Sequence, residues 1–229
     1  MATTAFCNSA KQELLQGAHC FNATVTPTGN THTTTTVDNV SSMSGVAVGM
    51  AVSGSGVQAG SVVANVVSST SFLLSIVTTS SLTGTTLTIT GDVFKMALIK
   101  VSPTGTYDAT VTNYGTGSGS PTSSNLGTDE VSGTGYTAGG TALTNVTPTL
   151  SSGVAITQFS PNPNWTSATF SATACEIYNT NGRLGGASGT ITGRTISIHD
   201  FGGTQSVSSG TFTVVMPTFN NSSALLRIA

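Results

Sequence analysis

His199-Asp200 is an adjacent pair whose residue types suit a general base and the carboxylate that orients it. A hydrolase built on such a pair also needs a nucleophile on a sharp turn, and the chain has no Gly-x-Ser-x-Gly to supply one. His19 follows the first helical segment and His32 lies in a Thr-rich stretch, so no two histidines share the His-x3-His spacing of a zinc site. The cysteines, Cys7, Cys20 and Cys175, lack Cys-x2-Cys spacing. Cys7 and Cys20 flank a helical segment that would hold them roughly 20 Å apart at 1.5 Å per residue. An odd number of thiols without a secretory leader predicts buried thiols and no disulfide framework.

The remaining motifs have plainer readings. Asp200-Phe201-Gly202 spells the magnesium-binding tripeptide of protein kinases, but no catalytic-loop or Gly-rich nucleotide motif accompanies it. Gly54, Gly56 and Gly60, and Gly133, Gly135, Gly139 and Gly140, are not followed by a helix whose N-terminus could hold a phosphate, so they predict turns with positive φ. Asp129-Glu130 lacks the regular oxygen run of a calcium loop and reads as a solvated acidic turn. Trp165, the single tryptophan, could stack on a sugar, but is expected to anchor a strand in the core. The Asn-x-Ser/Thr triplets at Asn22, Asn145 and Asn164 follow from the Ser/Thr content. No catalytic residue, cofactor site or metal site is therefore expected.

The elements that must position these residues are almost all strands. Asn8-Ser9 followed by AKQELLQG predicts one short helix near residues 9–16, capped by Asn8 or Ser9 and ended at Gly17. Leu14 and Leu15 would give it an apolar face, with Lys11, Glu13 and Gln16 toward solvent or a partner. Phe21, Ala23 and Val25 alternate with polar residues and predict a first strand. A low-complexity linker, THTTTT, spans 31–36. Beyond it GVAVGMAVSG, SVVANVVSS, SFLLSIV and TGTTLTIT predict a small β module over 32–91, in which Asp38 is the only charge. VFKMALIKV then begins a second run of strands, and YDATVTNYG is a further candidate. Others cover 141–146, 154–159, 168–178, 195–199, 211–216 and 224–228, with a tight turn at Asn181-Gly182. This spacing predicts an all-β protein: a β-sandwich or jelly-roll-like body with a short N-terminal helix and an inserted small β module. Residues 1–31 supply the helix and first body strand, 32–91 the insertion, and 92–229 the rest of the body.

Composition narrows the function. Charged residues make up 6% of the chain and hydrophobic ones 37%. Ordinary domains carry about 25% charged residues. A surface of hydroxyls and small side chains suits a protein that lies against other protein. The net charge of -2 and six scattered basic residues argue against a nucleic-acid partner. The start, MATTAFCNSAKQELL, has no basic region leading into an apolar run, and no apolar stretch is long enough for a membrane helix. No membrane association is expected, and synthesis in a cytoplasm is.

Several segments carry a resemblance: MATTAFCNSAKQELLQGAH, VFKMALIK, DEVSGTGYTAGGTALTNVTP, NWTSATFSATACEIYN and SSGTFTVVMPTFNNSSALLRIA. In this order they resemble virion structural proteins of tailed bacteriophages, over roughly residues 1–30 and 92–229. The segment 32–91 interrupts that pattern and is itself similar to small β modules of phage virion proteins. The resemblance implies a non-enzymatic particle component, with a capsid decoration (cement) protein on the outer capsid surface as the leading expectation. Its partners would be the major capsid protein and further copies of itself, a trimer being favoured over a dimer. A tail or fibre component that joins tail parts or binds a receptor is the alternative. A carbohydrate-binding or hydrolytic β protein is a third reading, disfavoured because no pair of well-placed catalytic carboxylates is evident. Phe6, Leu14 and Leu15, expected near a free N-terminus, are the candidate interface residues.

Overall fold

Thr, Val and aromatic residues fit a pleated backbone better than a helix, and the chain follows that preference. In the computed structural model, which describes residues 1–184 and 189–229, strands hold 48% of the chain and helices 5%. The protein is all-β and sandwich-like.

The chain opens with β1 (Ala5–Phe6) and α1 (Asn8–Leu15). The helix begins at Cys7, with no side-chain cap, and Asn8 already lies in its first turn. Six strands follow: β2 (Thr28–His32), β3 (Thr36–Asp38), β4 (Ala51–Gly54), β5 (Val63–Ser68), β6 (Ser71–Leu74) and β7 (Ser81–Thr90). They form one sheet in the order β4-β7-β2-β3-β6-β5. The sheet curls until its two ends meet, where Val63 N–H donates to the Met50 carbonyl and Val52 N–H to the Ser61 carbonyl, both at 2.9 Å. This closure makes a small barrel and covers much of the edge that an open sheet would expose. Val37, Met50, Val52, Val63, Phe72, Leu74, Leu87 and Ile89 fill it.

The body resumes with β8 (Phe94–Lys100), followed by β9 (Thr141–Ala142), β10 (Asn145–Ser151), β11 (Val154–Phe159) and β12 (Asn164–Asn179). The last four strands are β13 (Gly182–Leu184), β14 (Gly189–Ile191), β15 (Arg194–Thr213) and β16 (Leu226–Ile228). A five-stranded sheet, β1-β15-β12-β8-β9, shares a core with a three-stranded sheet, β10-β11-β16. Phe94 of β8 meets Phe159 of β11 at 5.4 Å between ring centres, and Phe21 stacks on Phe94 at 4.4 Å.

Several expectations need correction. Phe21–Thr26 is not a strand of the body. Phe21 enters the body core, whereas Val25 bonds with Ile89 in both directions and packs on the barrel core, so the alternating run is split between two cores. The Thr-rich linker is a β-hairpin: β2 ends at His32 and β3 starts at Thr36, with the His32 and Asp38 side chains 2.9 Å apart across it. The barrel therefore includes β2, which begins at Thr28, before the expected 32–91 span. Residues 107–115 form a loop, because their hydrogen bonds go to separate partners such as Met1, Gly193 and Ser123. Asn181 is a bend between β12 and β13, not a hairpin tip: its N–H goes to the Asn179 side chain and its side-chain oxygen accepts from Val93 N–H.

Barrel and body join at a narrow neck. Asp92 N–H donates to the Cys20 carbonyl at 2.8 Å, so the incoming and outgoing chains run side by side. At Gly91 a Cβ would stand 2.2 Å from the Asn22 carbonyl oxygen. Gly91→Ala should therefore destabilise the protein by about 1–3 kcal/mol, the usual range for overpacking, measured by urea unfolding. Replacing residues 23–90 with two glycines should leave a folded, monodisperse body, because the cut ends already touch. An insoluble product would mean that the body needs the barrel.

Candidate functional site

Six side chains converge where helix, neck and body meet. α1 turns Ala10 and Glu13 toward the body, with Leu14 half-buried and Leu15 93% exposed. Glu13 is thus buried, contrary to the solvent-facing position expected of it. Its carboxylate accepts from Arg194 Nε and from His19 Nε2, each at 2.9 Å. The Asn179 amide donates to His19 Nδ1 at 2.8 Å and to Asp92 Oδ2 at 2.7 Å. Arg194 also donates to the Asn113 side-chain oxygen at 2.9 Å. Burial pushes the His19 pKa down, against the opposing pull of Glu13. The geometry agrees, since an imidazole that accepts at Nδ1 and donates from Nε2 is neutral.

This network borders a cleft of about 490 Å³ between body and barrel, lined by Leu14, His19, Phe21, Val48, Asp92 and Pro148, among others. Leu14, Phe21 and Pro148 also line an adjoining apolar hollow of about 100 Å³, with Phe6, Ile156, Leu226 and Ile228. Two of the three expected interface residues, Phe6 and Leu14, thus come together, and both pack partly against the core. Leu15 contributes no lining to either space. The N-terminal segment is not free. Thr3 N–H donates to the Tyr107 carbonyl, Tyr107 N–H to the Met1 carbonyl, and β1 pairs with β15.

Ala155 and Ile228 line the hollow through a strand pairing that the sequence does not show, and Leu150 continues their row beyond it. Leu150 pairs with Ala155, and Ala155 with Ile228, across the three-stranded sheet. Directly paired residues share a face, so the three stand in a row. Leu150 is 75% exposed and Ile228 59%. The alternation in the Thr147–Leu150 stretch was a signal for a half-exposed strand, but not for its neighbours.

The acidic pair that read as a solvated turn is buried. Asp129 accepts from Thr104 N–H at 3.0 Å, Gly105 N–H at 2.7 Å and the Tyr107 hydroxyl at 2.8 Å, with Lys100 Nζ at 3.1 Å. Glu130 accepts from the Tyr114 and Tyr136 hydroxyls and from Gly139 N–H, all at 2.7 Å. These partners are donors, whereas a cation needs oxygen acceptors. Among the described residues no group of three or more His, Cys, Asp or Glu side chains is placed to hold a metal.

The remaining candidates sit apart. His199 and Asp200 point to opposite faces of β15 as strand neighbours do. His199 Nε2 meets the Ser197 hydroxyl at 2.9 Å, and Asp200 accepts from Gly202 N–H. Burial pushes the His199 pKa down to about 4. Cys7 and Cys175 are buried, and burial raises both thiols, Cys7 to about 12, so neither is an activated nucleophile. Trp165 is buried among Tyr136, Phe170 and Phe212 at 6.0–6.4 Å between ring centres. Two of the glycines expected in turns, Gly56 and Gly140, have φ of +78° and +67°. Among the described residues no helix is long and apolar enough to cross a membrane.

What the cleft and hollow offer is apolar area over a hydrogen-bonded floor, which suits contact with another apolar surface. No family model, no curated protein and no solved structure matches this chain.

The Asp129 cluster has a pH signature. Burial works against the ionised carboxyl, but the amides of Gly105 and Thr104, the Tyr107 hydroxyl and Lys100 outweigh it and hold the pKa at about 2. Its folded value lies below its unfolded one, so its stabilisation is present above about pH 4 and is lost as pH falls toward 2. Asp129→Asn should lower stability by about 2 kcal/mol at pH 7 and flatten the acid limb between pH 4 and 2 in denaturant titrations. An unchanged acid limb would assign that limb to other carboxylates.

Proposed function

We propose that the chain is a non-enzymatic virion structural protein: a capsid decoration protein that lies on the outside of a phage head and clamps neighbouring subunits. One observation carries the reading. Five of the eight acidic residues, Glu13, Asp92, Asp129, Glu130 and Glu176, are buried. The outer surface is left with few charges, many hydroxyls and the exposed apolar residues Leu15, Leu150, Val215 and Ile228. Such a surface loses little hydration energy when covered by protein, because few charges must be desolvated. Repeated over a shell, modest contacts act multivalently. In this reading the body and the row Leu150, Ala155 and Ile228 face capsid or a second copy, while the barrel projects on its neck.

The N-terminal segment enters this proposal differently from the sequence-based expectation. Removing residues 1–17 would take away β1, Cys7, Ala10 and Glu13, and with them the partner of Arg194, so it would test folding, not docking. The surface variant Leu150→Asp with Ile228→Asp is the cleaner probe. It should keep the far-UV circular dichroism of the parent and lose binding to particles that lack the protein. Particles without the protein should release DNA at lower temperature. The second reading, a tail or fibre component, rests on the same apolar surface. It takes over if particles without the protein keep their thermal stability but no longer attach to cells.

A further inference from the structure

We propose that Glu176 is a pH-responsive latch: protonated, it holds the long connection between β8 and β9 closed over the five-stranded sheet, and ionised, it loosens that connection. The connection spans 101–140. It covers the face of β12 that carries Ala174, Glu176 and Tyr178, which alternate onto one side of the strand. The Tyr178 ring stacks on Tyr114 of the connection at 4.4 Å, and the Tyr178 hydroxyl donates to the Gly139 carbonyl at 2.8 Å.

Glu176 lies under this cover with no exposure. One carboxyl oxygen accepts from the Thr195 hydroxyl, and the other, Oε2, has no hydrogen-bond partner. The titratable groups around it are Cys7 from the N-terminal segment, Tyr107, Tyr114 and Glu130 from the connection, and Cys175 and Tyr178 on its own strand. β8 places Ala97 opposite, and β15 places Ile198. None of these groups is a cation. An ionised carboxyl here would be short of donors and would repel Glu130, the group that gathers Tyr114, Tyr136 and Gly139 N–H. That position favours the neutral acid.

The three buried carboxyls at this connection, Asp129, Glu130 and Glu176, therefore divide the work. Asp129 and Glu130 sit in complete donor shells and tie the connection together. Glu176 sits on the sheet beneath them and tolerates the closed state best while neutral. Burial, with a smaller push from Glu130, raises its pKa to about 7. Once the connection opens, water reaches the carboxyl and its ordinary acidity returns. The closed form thus holds a proton that the open form releases. Opening should become roughly tenfold more favourable per pH unit from about pH 5 to 7 and level off above that.

Amide hydrogen exchange reads this directly. Gly139 N–H bonds to Glu130, Leu126 N–H to the Tyr114 carbonyl and Tyr114 N–H to the Gly193 carbonyl. Their rates would be measured from pH 5 to 8, each divided by the rate of unstructured chain at the same pH. Protection at these amides should fall about tenfold per pH unit up to pH 7 and then flatten. Ile89 N–H in the barrel, bonded to Val25, should show no such slope. Glu176→Gln should remove the slope at all three amides. A flat wild-type profile, or a slope that survives in Glu176→Gln, overturns the proposal. If that variant does not fold, the carboxyl ¹³C shift of Glu176 in the wild-type protein decides. A midpoint near pH 7 alongside the sloped profile supports the latch, and a midpoint below pH 5 overturns it.

Discussion

A carboxylate taken out of water costs several kcal/mol unless donors replace the water, and this chain buries five. That requirement organises most of the irregular backbone. Asp129 draws Thr104, Gly105 and Tyr107 to itself, and Tyr107 in turn holds the first residues of the chain. Glu130 collects two tyrosine hydroxyls and the Gly139 amide. Glu13 joins the helix to Arg194 of β15 and to His19, and Asn179 carries the link on to Asp92 at the neck. A long connection with little regular structure can lie over a sheet only if its polar groups find partners there. The acidic side chains are those partners. Glu176 is the exception, with one oxygen left over.

The two hydrophobic cores follow a different logic. The barrel closes on itself and fills its interior with apolar side chains from β3, β4, β5, β6 and β7. The body instead packs two open sheets, and Phe21, Phe94 and Phe159 bind them together. Between the cores the chain crosses a neck so tight that Gly91 has no room for a side chain. Phe21 and Val25, four residues apart, belong to opposite sides of that neck. The cleft beside it is a consequence of this joint, because two rounded bodies meeting at a narrow connection leave a gap.

Burying the charges leaves the surface neutral. Hydroxyls and small side chains dominate outside, with isolated large apolar residues and one short row, Leu150, Ala155 and Ile228. A neutral surface of this kind costs little to cover. That is the physical content behind the proposal of a protein that works by association, and it depends on where the acids went more than on how few there are.

The strand-rich class, the short helix, most strand positions in the body and the low charge are legible in the residues alone, because they are local properties of residue type and period. The sequence also placed Trp165 in the core and most of the expected glycines in turns, though Gly54 ends β4. It did not determine that β12 and β15 run as long paired strands, that the Thr-rich stretch is a hairpin, or that β2 belongs to the barrel. Pairing partners lie far apart in sequence, and alternation does not say which of two cores a side chain enters. The fate of the acids was equally hidden. Glu13 looked solvent-facing and Asp129-Glu130 looked like a solvated turn, since a carboxylate reads as surface until its donors are known. Those donors, Arg194 for Glu13 and Tyr107 and Tyr136 for the pair, come from other segments. Only tertiary structure brings them within hydrogen-bond reach, where burial becomes affordable.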